Sequence, residues 1–268
     1  MDGIIDERVN HLVNERIAQL DQRIQAITVN TVLLYSKDKV AMEDFASRDG
    51  GATVLEDATT RNTGGSGGWF GWMSRATRHS ERRPPITALD PDISVRNCWV
   101  FDGAYGYIGI ALYQKIVVTH VTVDHIGREL FAEFRSAPRR MIFWIYIEDD
   151  DTIARLRYHR VENPLHPLWE NGEFPGRLGE RFLSESRQFR GRGMLIPVLT
   201  LEYDVNSIME AQTFSLNQAV VDMNLVAGIV LLEIVDNWGA TNTCLYRVRV
   251  HGKRRIASDE SGIGTGKM

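Results

Sequence analysis

The chain has 268 residues, of which 43% are hydrophobic, so it can bury a complete core and is not disordered throughout. Its 31 basic and 35 acidic residues give a net charge of -4, which argues against nucleic-acid binding because phosphate contacts need a clustered surplus of positive charge. No apolar segment approaches the roughly 20 residues that span a bilayer, and the N-terminus lacks the apolar core of a signal peptide. We therefore expect no membrane-spanning segment within this sequence.

Residues 1–40 are predicted to form a helical or coiled-coil segment. Apolar side chains recur there at steps of three or four residues, at Ile5, Val9, Val13, Ile17, Leu20, Ile24 and Ile27. A stripe this narrow is typical of a coiled-coil seam, although it extends over only about two heptads. An amphipathic helix packed on its own domain would show the same pattern.

A second helical piece is predicted over residues 34–46, where Ser36 could cap its start and glycines at 50 and 51 end it. The polar, glycine-rich loop 56–86 follows, with a Gly/Ser tract at 64–68 and then Trp69, Phe70 and Trp72. A Gly/Ser tract buries too little surface to offset the entropy of its own ordering. The aromatic side chains therefore either pack on the domain's own surface or contact a partner.

From residue 86 onward the sequence reads as short strands separated by glycine turns. Strands are predicted at 98–101, 107–112, 115–123, 141–147, 228–235 and 244–252, the last with strict alternation of apolar residues and arginines. This spacing favours an antiparallel sandwich. Residues 148–215, with several prolines and arginines, are interpreted as an inserted excursion, and residues 254–268 as a flexible tail.

Each of the two cysteines, Cys98 and Cys244, lies at the start of a predicted strand. A disulfide is possible because a bridge needs Cα atoms only about 5.5 Å apart. The residues alone favour two buried free thiols, because cysteines are often simply small hydrophobic side chains.

The sequence offers no constellation for catalysis, so no enzyme activity is predicted. The seven histidines do not form a metal-ligand spacing with cysteines or carboxylates. The acidic run at 148–151 is more typical of a solvated turn than of a cation site. The Gly/Ser tract lacks the Lys-Ser/Thr pair that grips phosphates.

The strongest motifs lie at the two cysteines. Asn-Trp-Gly at 237–239, Cys-Leu-Tyr-Arg-Val-Arg-Val-His-Gly at 244–252 and Asn-Cys-Trp at 97–99 resemble the SUN domain, a module of the nuclear envelope. The resemblance extends over residues 34–252. It implies a mostly β fold, an antiparallel, jelly-roll-like β-sandwich over 41–253, which the N-terminal segment would assemble into a homotrimer.

In this family the domain binds the C-terminal KASH peptide of outer nuclear membrane proteins and tethers the nucleus to the cytoskeleton. The resemblance implies a peptide site at His125, Ser136, Asn242 and Tyr246, where hydroxyl groups suit a terminal carboxylate. Asn242 replaces a tyrosine that the family often has. From the residues alone, Ser136 could simply cap a turn and Tyr246 could simply pack.

The resemblance also assigns the loop 56–86 as a lid over the peptide, with Trp69, Phe70 and Trp72 in it. The family often has a cysteine at the lid base that bonds to the partner, but this sequence has Thr59 there. We therefore expect no intermolecular disulfide.

Two further features follow from the resemblance. One is a Cys98–Cys244 disulfide. The other is a monovalent, potassium-like cation held by main-chain carbonyls at Thr87, Asp90, Asp92 and Asn97, although an ordinary Pro-Asp turn would have the same sequence. No organic cofactor is expected.

The implied location is the perinuclear space, with the parent protein anchored in the inner nuclear membrane by a segment upstream of this sequence. One alternative is a luminal sandwich that binds a glycan or another ligand through the three lid aromatics. Another is a helix that folds back and blocks the site, which would leave a monomer.

Overall fold

The structure, a computed structural model, describes residues 14–24, 42–61, 83–127, 134–162, 178 and 193–254. The chain divides into two compact units, Met1–Ala41 and Met42–Met268. In the first unit, residues 14–24 form helix α1, on which the apolar side chains of Ile17, Leu20 and Ile24 are exposed. The helix was expected from its periodicity, and the coiled coil stays a prediction.

The second unit is mostly β. Its described strands are β1 (Thr53–Leu55), β2 (Trp99–Asp102), β3 (Gly106–Asp124), β4 (Arg140–Ile147), β5 (Met194–Glu202), β6 (Ala211–Ser215), β7 (Val226–Ile234), β8 (Asn242–Leu245) and β9 (Arg247–Arg254). Its described helices are α2 (Asp150–Glu162) and α3 (Gln218–Asp222), together with the 3-10 turns Glu56–Ala58, Pro85–Leu89 and Phe134–Ser136.

The strands form two antiparallel sheets, which confirms the predicted β-sandwich. The larger sheet has the order β1-β3-β7-β4-β5, with β6 and β9 also paired to β3, and the smaller sheet is β2 with β8. Strand β3 can pair with four neighbours because it is 19 residues long. Its register with β7 shifts between Ala111 and Ile116, so the two strands predicted at 107–112 and 115–123 are one strand with an irregularity. A bulge of this kind bends a strand without ending it.

Strand β4 is apolar from Met141 to Ile147, and the packing of its two faces explains why. Its side chains alternate between two buried layers, with Met141, Phe143 and Ile145 in the main core and Ile142, Trp144 and Tyr146 in a second cluster. A strand covered on both faces needs a continuous apolar run rather than an alternating one.

A buried carboxylate connects this second cluster to the excursion. Glu233 accepts hydrogen bonds from Tyr105 Oη at 2.9 Å, Trp144 Nε1 at 3.0 Å and the main-chain nitrogen of Leu178 at 3.2 Å. Leu178 is buried in the same cluster. Buried polar groups are expected to be hydrogen-bonded in this way, and Glu233 fixes this point of the excursion on the sheet.

The excursion is narrower than the sequence indicated. Strands β5 and β6 lie inside 148–215, yet β5 pairs with β4 and β6 pairs with β3. The prediction missed β5 because Gly and Arg residues precede it and Pro197 lies within it, and it missed β6 because that strand is short and mostly polar. The acidic run is also not a plain turn: Glu148 pairs with Lys115 at 2.9 Å, and Asp149 Oδ2 accepts the main-chain N–H of Thr152 at 2.8 Å. The run therefore forms the start of α2, where negative charge is favourable.

The leading residues of the β domain are attached to its last strand. The main-chain nitrogen of Phe45 donates to Val250 O at 2.8 Å, and Asp44 forms an ion pair with Arg247 at 2.8 Å. Of the helix predicted over residues 34–46, the structure describes only 42–46, which are not helical, because these contacts to β9 replace the bonds that a helix would make. Among the described residues, no helix is both long and apolar enough to cross a membrane.

Candidate functional site

The candidate site is built around the small sheet and its disulfide. Cys98 immediately precedes β2, and Cys244 lies in β8 opposite Val100. The two cysteines are bonded, with Cα atoms 5.6 Å apart, which confirms the predicted disulfide. Cys98 and Cys244 belong to a small buried cluster that also contains Ile126 and Tyr246, so the disulfide lies beside the predicted peptide site.

Tyr246 occupies the single position between β8 and β9 and is fully buried. Its hydroxyl oxygen accepts a hydrogen bond from the main-chain nitrogen of Arg96 at 3.1 Å. Its ring meets the His125 ring edge-on, with centroids 4.8 Å apart. Such edge contacts between rings are favourable. The structure thus brings two of the predicted site residues into direct contact.

His125 follows the last residue of β3 and is 1% exposed. Its Nδ1 lies 3.0 Å from Ile126 O, and because a carbonyl oxygen only accepts, Nδ1 carries the proton and donates. The other ring nitrogen, Nε2, is buried without a hydrogen-bond partner among the described residues. Burial lowers the pKa of His125 from 6.5 to about 4, so at neutral pH the imidazole presents a lone pair at Nε2.

The strand end that carries His125 is fixed by an ion pair. Asp124 is 1% exposed, and Arg249 of β9 donates to it through both Nε, at 2.7 Å, and Nη2. The main-chain nitrogen of His125 donates to Glu210 O at 3.0 Å, and Glu210 Oε1 accepts the N–H of Gly127 at 2.8 Å. Sequence reasoning missed Glu210 and Arg249 because each acts across 83 or more residues, where no local motif signals a contact.

Ser136 and Asn242 lie on adjoining elements. Ser136 is buried in the 3-10 turn Phe134–Ser136, which packs on β8, while Asn242 begins β8 and is partly exposed. Asn237 fixes this corner, since its Nδ2 donates to the carbonyl oxygens of Ala240 and Asn242 at 3.1 and 2.9 Å. The peptide site at these residues stays a prediction.

The predicted cation loop is held by its own hydrogen bonds. Thr87 O accepts from the nitrogen of Asp90 at 3.1 Å, and Asp92 O accepts from Asn97 Nδ2 at 2.7 Å. Asp90 Oδ1 and Asp92 Oδ1 each accept a main-chain N–H two residues further on. A carbonyl oxygen has a second lone pair, so these contacts are compatible with a cation, and the cation remains a prediction. The described residues contain no group of three or more His, Cys, Asp or Glu that could hold a metal.

The three predicted lid aromatics, Trp69, Phe70 and Trp72, lie outside the described residues. Thr59, at the predicted lid base, is buried, and its hydroxyl donates to Leu55 O at 2.8 Å and accepts from the nitrogen of Gly109 at 3.2 Å. This position therefore attaches the loop to β3.

The titration of His125 gives a testable stability effect. The pKa of His125 is lowered to about 4 in the folded protein, so as the pH falls below 6.5 the unfolded chain binds this proton before the folded protein does. The free energy of unfolding is therefore highest above pH 6.5 and falls as the pH drops from 6.5 towards 4. We expect this one histidine to account for about 3 kcal/mol of the loss. Urea denaturation from pH 7 to 4 would measure it.

The matched variant for that titration is His125→Gln, which cannot titrate. Its free energy of unfolding should change less over this pH range than that of the wild type. Equal pH dependence of both proteins would contradict the assignment. His251, whose pKa is also lowered by burial, titrates in both proteins and cancels from the difference.

Comparison with known proteins identifies the family. The family described as Sad1 / UNC-like C-terminal matches residues 78–164 and 196–254, which is more than half of the chain. The chain therefore belongs to this family, the SUN-domain family that the motifs at the two cysteines indicated. The unmatched gap lies within the predicted excursion.

Three relatives illustrate the similarity. The chain is 27% identical over 252 residues to "SUN domain-containing protein 3" of Bos taurus, covering 93% of this chain and 53% of that protein. It is 25% identical to "SUN domain-containing protein 1" of Homo sapiens, with 87% and 24% covered, and 25% identical to the "Klaroid protein" of Drosophila melanogaster, with 87% and 20% covered. The chain thus spans about half, or less, of the length of these relatives.

One solved structure with a similar fold is the family 32 carbohydrate-binding module from Streptococcus pneumoniae EndoD. Its TM-score is 0.45 at 13% identity, covering 79% of this chain and all of the module.

Proposed function

We propose that this domain binds the free C-terminal carboxylate of a KASH-type peptide and thereby tethers the nucleus to the cytoskeleton. The observation that carries the proposal is the contact of Tyr246 and His125 beside the disulfide. A hydroxyl group in a water-poor cluster is suited to a terminal carboxylate because charge-assisted hydrogen bonds are strongest there, and the neutral imidazole beside it can accept a hydrogen bond from a peptide N–H. Membership of the family supports the same partner.

Tethering the nucleus requires more than the peptide site itself. We place the parent protein in the nuclear envelope, with this domain in the perinuclear space and a membrane anchor upstream of it. We propose that three copies assemble, with Trp69, Phe70 and Trp72 closing over the bound peptides and a monovalent cation held by the carbonyls of the loop 87–97. A homotrimer multiplies individually weak contacts into one strong attachment. We assign no catalytic role to the domain.

The groups proposed to hold the peptide terminus are buried in this structure. His125, Ser136 and Tyr246 are each at most 2% exposed, and the Tyr246 hydroxyl already accepts from the Arg96 nitrogen. Neutral His125 donates through Nδ1 to Ile126, so its Nε2 can accept from a peptide N–H but not donate to the carboxylate. We therefore assign the carboxylate to the hydroxyl groups of Tyr246 and Ser136.

The test compares a KASH-type C-terminal peptide as free acid and as C-terminal amide, with light scattering to give the mass of the protein. Binding of the acid alone to a trimer is the expected result. If a confirmed trimer bound neither peptide, the KASH assignment would be wrong and a glycan screen would be the next step. A monomer would instead point to blockade by the N-terminal helix, tested by deleting residues 1–33.

Tyr246→Phe should weaken binding of the free-acid peptide by about 1–3 kcal/mol, because a charged group then lacks one hydrogen bond. The ring and its packing against His125 are retained. Tyr113→Phe is the matched control, since the Tyr113 hydroxyl donates to Glu43 at 2.5 Å, away from the disulfide cluster. Unchanged peptide affinity in a folded Tyr246→Phe protein would remove Tyr246 from the site.

A further inference from the structure

Residues 43–45, which we call the clasp, are bonded to strand β9 before the chain enters the sandwich. The main-chain nitrogen of Phe45 donates to Val250 O at 2.8 Å, and the carboxylate of Glu43 forms an ion pair with Arg254. The Phe45 side chain is 1% exposed. Polar contacts and a buried ring therefore hold the clasp against β9.

Asp44, the central residue of the clasp, uses both carboxylate oxygens on β9. Its Oδ2 accepts from Arg247 Nη2 at 2.8 Å, and its Oδ1 accepts the main-chain N–H of Val250 at 3.2 Å. The side chains of Asp44 and Arg247 are only 12% and 14% exposed. A buried ion pair is often no better for equilibrium stability than apolar side chains of the same volume, so stability alone does not account for it. Arg247 directly follows Tyr246, so one ion pair and one peptide bond connect Asp44 to the proposed carboxylate site.

The clasp precedes β1 in the chain, and this order decides what is loaded when the chain is pulled from its N-terminal side. Strand β1 has three residues and pairs only with β3 among the described strands. A strand this short is held by few hydrogen bonds. Tension that arrives from upstream reaches the clasp first, so an intact clasp keeps β1 unloaded.

A tether loads a domain at two places, where the chain leads to its anchor and where the partner is bound. Under the proposed function these places are the upstream side of Met42, which begins the second unit, and the site at Tyr246. We propose that the clasp passes the tension directly to β9 and so carries it between these two places without loading β1. This inference rests on the proposed tether and adds the path that the force takes through the domain.

The experiment applies a constant force to the full chain through one handle at its N-terminus and one at Val95→Cys. Val95 is 51% exposed and lies next to Arg96, whose main-chain nitrogen donates to the Tyr246 hydroxyl. The two native cysteines are bonded to each other, so the added thiol is the single attachment point. The readout is the lifetime of the folded β domain, because unfolding under force is governed by the unfolding rate.

Two clasp variants should shorten this lifetime. Asp44→Asn should shorten it about ten-fold, the factor expected for losing one hydrogen bond between charged groups. Glu43→Gln should shorten it about two- to five-fold, because its ion pair is exposed. Arg48→Gln is the matched control, since Arg48 forms a similarly exposed pair with Asp90 but lies beyond the clasp, where the tension does not arrive. Its lifetime should equal that of the wild type.

A second geometry separates force transmission from general stability. Handles at Val95→Cys and Tyr158→Cys, the latter 68% exposed on α2, load the domain without pulling on the clasp. Both clasp variants should shorten the lifetime less here than in the first geometry. Equal shortening in the two geometries, or no shortening in the first, would overturn the inference. If Asp44→Asn does not fold, Glu43→Gln decides the question.

The force experiment contains no peptide, so its failure and the failure of the proposed function are distinguishable. Lack of binding by the free-acid peptide would overturn the proposed function while leaving the measured lifetimes unchanged. Lifetimes that do not depend on the clasp would overturn this inference and leave peptide binding in place.

Discussion

Removing the Cys98–Cys244 disulfide should lower the free energy of unfolding by about 2–5 kcal/mol. The two cysteines are 146 residues apart, so the bond closes a loop of more than half the chain and restricts the unfolded ensemble strongly. It also joins β2 to β8, a two-stranded sheet whose strands have only four residues each. Two strands alone are marginally stable in water.

The disulfide experiment is a urea titration of the protein with and without reductant, together with the Cys98→Ser, Cys244→Ser double variant. The reduced protein and the variant should unfold at the same, lower urea concentration. The variant in reductant is the control, since it has no disulfide to lose. Identical unfolding of oxidised and reduced wild type would show that the bond contributes nothing.

The same variant should also lose peptide affinity, provided that the proposed function is correct. Both cysteines belong to the same buried cluster as Ile126 and Tyr246, and Cys244 lies two residues before Tyr246, so the bond helps to fix the tyrosine relative to His125. An affinity loss measured under conditions where the variant is fully folded would separate this local effect from unfolding.

The sequence predicted those parts of the fold that depend on local pattern. The alternation of residues 247–250 predicted β9, and the apolar run 141–147 predicted β4 because a strand buried on both faces has no polar positions. The length of β3 was not predictable in this way, since the polar residues at 113–115 resemble a turn until the pairing with β7 and β9 is known. Likewise, β5 and β6 are recognised as sheet strands only through their partners.

The candidate site also has parts that local motifs predicted and parts that depend on distant residues. Family motifs pointed to His125, Ser136 and Tyr246, and the cysteine motifs pointed to the disulfide that lies next to them. The groups that hold His125 in place carry no such signal, because Glu210 and Arg249 approach it from distant parts of the chain. Their roles arise from register, which places Arg249 opposite Thr122 and one diagonal step from Asp124, and register is a property of the assembled sheet.

That register leads to the prediction for the Asp124–Arg249 ion pair. Arg249→Met should destabilise the protein by about 3–5 kcal/mol, because removing one partner of a buried pair leaves the other charge uncompensated. Asp124 is 1% exposed and receives two hydrogen bonds from the arginine. Urea unfolding at neutral pH measures the loss.

Arg254→Met is the matched control on the same strand. Arg254 pairs with Glu43, but both side chains are about half exposed, and an exposed pair contributes only about 0–1 kcal/mol. The two arginines therefore differ in burial and not in chemistry. If Arg249→Met cost no more than Arg254→Met, Asp124 would not depend on its partner and the explanation would be wrong.

A double replacement separates the charge from the packing. Asp124→Leu combined with Arg249→Met leaves no buried charge, so the double variant should be more stable than Arg249→Met alone. It should still bind the free-acid peptide less tightly than the wild type, because the end of β3 would no longer be held by two hydrogen bonds and His125 would be less well placed against Tyr246. Recovery of stability without recovery of affinity would show that this ion pair serves to position His125, whereas recovery of both would show that an apolar contact holds the strand end equally well.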